Sequence, residues 1–408
     1  MKTSVNLYKR LWSNIRNQAG YSFSHYKWLI TRNTLFLKRK ILYSFRVFRA
    51  KPELRSQRGE RFLELYFLVR DFLRSRLNSD SEHAKQIAGQ LLNVLKHCDE
   101  ITYEEEGTAE AYALLHFLDR YHRFQIIFDT LHTKGLMPIK VQKIDILDVG
   151  TGPGPSMYAI SDFYTSLNEK IGAVQSNKDD GGFSIDYVER SQEFRNWLHH
   201  FTEYVNFNCP SKHPWKVPFH HGSFYDFKGL EFNQYISYSG QDDDGEFIIR
   251  NRVEKYRFDI ILGSNFFTTK EQVDNYLIEL RDCVRFLRNN GILIVVGAKS
   301  SSKKYSSVYE EISNTILSEN YSNWKFIAKC EKLDFGNPVM GYSWGDGYGE
   351  RIKELIRDIY LKLQSNSKES IAPEMTKILD STIRPDYSNA IDWEVHVFRK
   401  KARMRRRR

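Results

Sequence analysis

The stretch Lys143-Ile144-Asp145-Ile146-Leu147-Asp148-Val149-Gly150-Thr151-Gly152-Pro153-Gly154-Pro155 constrains the fold more than any other part of the chain. Its apolar, β-branched beginning reads as a buried strand. The strand runs into glycines at 150, 152 and 154, which let the backbone turn sharply and approach a ligand with no Cβ in the way. Pro155 suits the first position of a following helix. The spacing is GxGxG, not the dinucleotide pattern GxGxxG, and no Lys-Ser/Thr follows as it would in a phosphate loop.

Six other short β-rich runs punctuate the chain from residue 144 onward: Phe183–Val188, Val217–His221, Phe258–Gly263, Ile292–Gly297, Trp324–Cys330 and Trp393–Phe398. Helical stretches separate them, and that alternation predicts βαβ units and a mostly parallel sheet. Residues 53–134 read as helices instead. Phe62, Leu63, Phe67, Leu68, Phe72 and Leu73 recur at helical spacing, Ala84–Leu95 continues the theme, and a long helix is predicted from Thr108 to His132. Two segments break the rhythm: 229–255, with a hairpin expected around Gln241–Gly245, and 331–390, a Gly/aromatic loop followed by helices. The second strand ends at Glu189, and an acid at that position in a doubly wound sheet accepts hydrogen bonds from ribose hydroxyls. Gly150–Gly154 and Glu189 would lie together outside the carboxyl ends of the strands, where such sheets bind ligands.

These segments, in this order, resemble the class I S-adenosylmethionine-dependent methyltransferases across roughly residues 105–400. Leu147–Gly154 is similar to that superfamily's first motif, and Glu189 falls where its ribose-binding acid is found. Gly222-Ser223-Phe224-Tyr225-Asp226 matches the adenine side, with Ser223 in place of the acid common in relatives. Arg257–Asn265 resembles the fourth strand, whose end faces the transferable methyl. Thr269-Lys270-Glu271-Gln272 offers a capping box for a helix reaching Leu287, and Asn290-Gly291 is the turn before the next strand. Trp393–Phe398 would be the last, antiparallel strand.

The resemblance implies an α/β, doubly wound, Rossmann-like methyltransferase sheet of seven strands with a helical N-terminal extension. It divides the chain into 1–100 (basic, then helical), a methyltransferase domain at 101–400 with insertions near 229–255 and 331–390, and a basic tail at 401–408. S-adenosyl-L-methionine is the implied cofactor, with Asp148, Gly150, Thr151, Gly152, Gly154, Glu189, Ser223 and Phe224 as cofactor-binding residues. Ser264 and Asn265 are the candidate catalytic residues, and no metal is implied. The helix before the motif and the Gly-Pro-Gly turn also resemble the ribosomal small-subunit-associated methyltransferase-like group, whose clustered cysteines are not reproduced here.

On the substrate side, Gly263-Ser264-Asn265-Phe266-Phe267 is not the Asp/Asn-Pro-Pro-aromatic turn used on planar amino groups. Cys209 precedes the third strand, the wrong place for a cytosine-type nucleophile. Tyr112, His116 and Arg120 are spaced four apart, which places them on one helix face just before the first strand. The Gly/aromatic stretch 336–349 is a candidate lid.

Charge is segregated. Residues 1–52 hold twelve Lys/Arg and no acid, and residues 399–408 hold eight more bases, so 41 bases face all 51 acids in the body between. Bases interleaved with aromatics at the N-terminus suit RNA or another polyanion, and an acid-free N-terminus also fits an organelle transit peptide. Four dispersed cysteines (Cys98, Cys209, Cys283, Cys330) indicate neither a disulfide scaffold nor a zinc site. No apolar run approaches the ~20 residues of a membrane span. The chain is therefore expected to be a cytoplasmic methyltransferase acting on RNA or a ribonucleoprotein, with an organellar location as the alternative. A small-molecule or protein O/N-methyltransferase, or a non-catalytic RNA-binding or assembly factor on the same fold, are the competing functions.

Overall fold

A computed structural model describes residues 57–78, 81–97, 101–139, 143–170, 182–209, 215, 217, 235–241, 247–252, 258–264, 266–298, 303–317, 330–334, 357–359, 361–362 and 393–401. The basic N-terminus, most of the Arg-rich tail, the expected third strand beyond Val217 and the Gly/aromatic stretch 336–349 lie outside them.

Six described strands form one mixed sheet: β1 (Ile144–Val149), β2 (Phe183–Val188), β5 (Phe258–Ser264), β6 (Leu287–Ala298), β7 (Cys330–Leu333) and β8 (Trp393–Lys400), in the order β2-β1-β5-β6-β8-β7. β2, β1, β5 and β6 run parallel; β8 is antiparallel to both its neighbours. Of the seventh expected strand, Val217–His221, only Val217 lies among the described residues, and the sheet those residues form has six strands. A separate hairpin pairs β3 (Tyr235–Gln241) with β4 (Phe247–Arg252), where the sequence predicts one.

Successive side chains of a strand point to opposite faces, and both faces here are apolar. Ile146, Ile260, Leu262, Ile294 and Val397 join the core under the helices that precede and follow β1. Leu147, Ile261, Leu293 and Val295 join a second core under α7 (Lys270–Asn275), α8 (Leu277–Phe286) and α9 (Lys303–Leu317). That is why the central strands read as continuous hydrophobic runs: parallel strands are covered on both sides.

The helices at 57–78 (α1) and Ser81–His97 (α2) share the first core through Phe62, Leu65, Val69, Phe72, Ile87 and Leu91. Phe67, one of the periodic apolar positions, is instead 42% exposed and lies under the Arg70 guanidinium. Next come α3 (Thr108–Tyr112), a π-helical turn (Ala113–Phe117) and α4 (Leu118–Thr133) in unbroken succession, then α5 (Pro155–Lys170) and α6 (Gln192–Asn208).

Three boundaries differ from expectation. The capping-box helix breaks at Tyr276 and ends at Phe286, because Leu287 already pairs with Phe258 in the sheet. Asn290-Gly291, expected as a turn, sits within β6 where the register with β5 shifts; Asn290 has φ 65° there. β7 begins at Cys330, the one residue of the expected run Trp324–Cys330 that lies among the described residues, and extends to Leu333. It is an edge strand with half-buried and charged residues, so apolar content does not mark it.

Candidate active site

The site begins with the backbone of the glycine turn. Gly150, Gly152 and Gly154 all adopt positive φ (65°, 56° and 94°), a region open to glycine at little cost. The turn is tied to β2 by Gly150 N–H donating to the Val188 carbonyl at 2.8 Å, and it feeds directly into α5 at Pro155. The three glycines do different work. A Cβ on Gly150 would clash with the Phe266 ring, and one on Gly154 would come within 2.7 Å of Leu198 Cδ1 on α6. At Gly152 the nearest atom would be 4.0 Å away, so that position faces open space.

Two carboxylates brace the turn. Asp148, fully buried, accepts hydrogen bonds from Thr151 Oγ1 at 2.7 Å and from Ser156 Oγ. Its other oxygen, Oδ1, is buried with no hydrogen-bond partner among the described residues. Burial pushes the Asp148 carboxyl up to about 6, against the opposing pull of the two hydroxyls. Glu189 Oε2 accepts from Gly152 N–H at 2.7 Å, and Oε1 from Ser191 N–H at 2.9 Å. Burial raises the Glu189 carboxyl to about 7 even though backbone amides favour its charged form. A single hydrogen bond thus joins the first motif to the acid ending the second strand.

Beside this turn lies a cavity of about 520 Å³, walled by Gly150–Pro153, Glu189, Ser264 at the end of β5, and the pre-β1 helix through Tyr112 and Arg120. The size falls within the ~300–1,000 Å³ typical of small-ligand sites. Gly150, Thr151, Gly152, Glu189 and Ser264 line it. Asp148 lies behind the turn, and Gly154 packs against α6. Ser223, Phe224 and Asn265 lie outside the described residues.

The aromatic lining was not foreseen in full. Tyr103, Tyr112 and Phe194 form a triangle with ring centroids 4.9–5.4 Å apart. Tyr103 is held at φ 58°, and its carbonyl accepts from Ser191 Oγ at 2.6 Å. A non-glycine residue at positive φ costs of order 1–3 kcal/mol and clusters at functional sites. Phe266 and Tyr276, with rings 5.6 Å apart, also line the cavity. A weak signal did exist: Ser191 is the N-cap of α6, accepting from Phe194 N–H, which places Phe194 in the first turn directly after Glu189.

The parallel strands β2-β1-β5-β6, closed by the antiparallel β8 and followed by β7, define a methyltransferase-like α/β fold with the cavity at the carboxyl ends of its strands. The sequence matches no family model and no curated protein. Among solved structures, the chain is similar to a candidate sarcosine dimethylglycine methyltransferase from Galdieria sulphuraria, at 11% identity over 69% of this chain and 86% of that one, with a TM-score of 0.36. It is similar as well to Haemonchus contortus phosphoethanolamine N-methyltransferase 2 in complex with phosphomonomethylethanolamine and S-adenosylhomocysteine, at 10% identity over 77% and 66% of the two chains, with a TM-score of 0.34. A third is YjhP from E. coli, at 11% identity over 70% and 92%, with a TM-score of 0.32.

Proposed function

We propose that the protein is an S-adenosylmethionine-dependent methyltransferase. The observation that carries this reading is the Gly152 N–H to Glu189 hydrogen bond, which fuses a positive-φ glycine turn and a strand-end acid into one wall of the cavity. The residues present suit the cofactor. Gly152 leaves open backbone, Glu189 offers acceptor capacity to a ribose diol, and the unpartnered oxygen of Asp148 is free to accept from an ammonium group, directly or through water. When bound, the cofactor supplies a methyl group on a cationic sulfur that is already a good leaving group. The protein's part is to align the acceptor with that methyl and to exclude water. Thr151 and Ser156 hold Asp148, and Asp148 in turn holds the glycine turn in shape. Ser264 stands on the acceptor side, and we assign Asn265 to the same role; Ser223 and Phe224 are assigned to the adenine side.

Calorimetry with S-adenosylmethionine tests this reading. Binding that is lost in Asp148→Ala and Glu189→Ala supports it. No binding by the parent, or unchanged binding in both variants, overturns it.

For the acceptor, the basic segments 1–52 and 399–408 favour RNA or a ribonucleoprotein, attracted by phosphate charge rather than by the cavity itself. Methyl-labelled cofactor incubated with fractionated cell extract is expected to label RNA. Label in protein or small molecules instead would overturn the RNA reading while leaving methyl transfer intact.

A further inference from the structure

One wall of the cavity is built by the end of β5 and the chain that follows it. Among the described residues its lining is Ser264, Phe266, Thr268, Gln272 and Tyr276, none of them charged. The charged lining residues Glu104, Arg120, Glu189 and Arg190 come instead from segments just after β2 and before β1. A Cβ on Gly150 would strike the Phe266 ring, so the uncharged wall stands directly against the glycine turn.

Gln272 is the most constrained side chain on that wall. It is the third residue of α7 and closes the capping box with Thr269. Its Oε1 accepts from Thr268 N–H at 2.8 Å, from Thr269 N–H at 3.2 Å and from Thr268 Oγ1 at 3.1 Å. Two backbone N–H donors can only meet an oxygen, so the carboxamide has one possible orientation. The polar atom that remains is Nε2. It has no hydrogen-bond partner among the described residues and is not shut off from solvent. A glutamine ordinarily offers both a donor and an acceptor. Here the helix cap consumes the acceptor and leaves a donor of fixed direction.

We infer that Gln272 is a specificity-determining residue for the methyl acceptor, donating from Nε2 to a carbonyl oxygen on a flat, uncharged ring. The inference rests on the RNA reading proposed above and sharpens it: the target is a base with a ring carbonyl, namely cytosine, uracil or guanine. A carboxamide reads adenine by pairing a donor with an acceptor, and the cap has removed the acceptor. A carbonyl asks for the donor alone. Phe266 and Tyr276 give the same wall the aromatic surface that suits a nucleobase. The recognising group is the side chain that the cap holds, not the terminus of this short helix.

The test uses methyl-labelled S-adenosylmethionine and an unmodified, random-sequence RNA transcript, hydrolysed afterwards to nucleosides. Label is expected in the base of cytidine, uridine or guanosine; label in adenosine or in ribose overturns the assignment. Gln272→Glu separates recognition from folding, because a carboxylate oxygen still closes the capping box while the N–H donor is gone. This variant is expected to melt like the parent and to bind S-adenosylhomocysteine within about twofold of it, by calorimetry. Its kcat/KM for the transcript should fall at least about tenfold, mostly through KM. An unchanged KM, or a loss shared with melting temperature and S-adenosylhomocysteine affinity, overturns the role of Gln272. A parent that binds S-adenosylhomocysteine yet leaves the transcript unlabelled brings down the RNA reading, and this inference with it.

Discussion

At the amino ends of the central strands, Asp145 and Asp259 meet the guanidinium of Arg288 at 2.5 and 2.6 Å. At the carboxyl ends, Asp148 and Glu189 accept hydrogen bonds from hydroxyls and backbone amides, with no cation in salt-bridge contact among the described residues. Both pairs involve buried carboxylates: Asp259 is 1% exposed and Asp148 0%. The two ends serve different purposes. The lower pair shares one guanidinium within the fold, and that arginine ties β1, β5 and β6 together. The upper pair is held in shape by neutral donors, and burial shifts both groups toward the protonated form. Such a site gains from a ligand that brings donors or positive charge.

The largest expected effect belongs to the lower end. Arg288→Met leaves Asp259 buried without its cation and should cost ~2–3 kcal/mol of stability, below the ~3–5 of a wholly buried pair because Arg288 reaches solvent. Urea denaturation measures this. If the two ends are independent, S-adenosylhomocysteine affinity of the folded variant stays within about twofold of the parent, and a larger drop breaks the division.

Next in size is Gly150→Ala at the upper end. Positive φ costs a side-chain-bearing residue ~1–2 kcal/mol, and the added Cβ drives against Phe266. Affinity for S-adenosylhomocysteine should fall at least about tenfold, by calorimetry, because the turn must shift.

The most gradual effect is a matter of pH. Glu189 ionises near 4.5 when unfolded and near 7 in the folded protein. Between those values the folded state holds the extra proton, so this group makes stability fall as pH rises, by at most ~1.4 kcal/mol per pH unit. Ligand affinity should move the other way, because the ionised carboxylate is the better acceptor for a ribose diol. Binding should strengthen between pH 6 and 8 in the parent and be flatter in Glu189→Gln. A parent with no such slope would remove Glu189 from the ligand's side of the comparison.

Much of the upper end was legible from residue order. The strand, glycine turn and Pro155 start of α5 are decided within a dozen neighbouring residues. The capping box of α7 spans four residues, with Thr269 Oγ1 accepting from Gln272 N–H at 3.2 Å. Interactions of such short range leave their pattern in the local sequence. The strand alternation likewise foretold the parallel sheet, because covering both faces demands long apolar runs.

Other features depend on groups far apart in the chain. Arg288 gives no sign in sequence of reaching back to Asp145, and nothing local announces that Phe266 packs over Gly150. The edge strand β7 is defined by its pairing with β8 rather than by its own composition. The π-turn is one extra residue inside a run that reads as continuous helix, and only the structure shows Tyr112 and Arg120, on either side of it, lining the cavity.

The βα order, the glycine turn and the carboxylates that accompany it can be read from residue order alone, because they follow from local conformation and the periodicity of burial. Which carboxylates meet a cation, which are left receptive, and which aromatics and arginines line the cavity are settled by packing in three dimensions. Those outcomes depend on distances between side chains from different elements, set when two separately patterned faces of one sheet are covered at once.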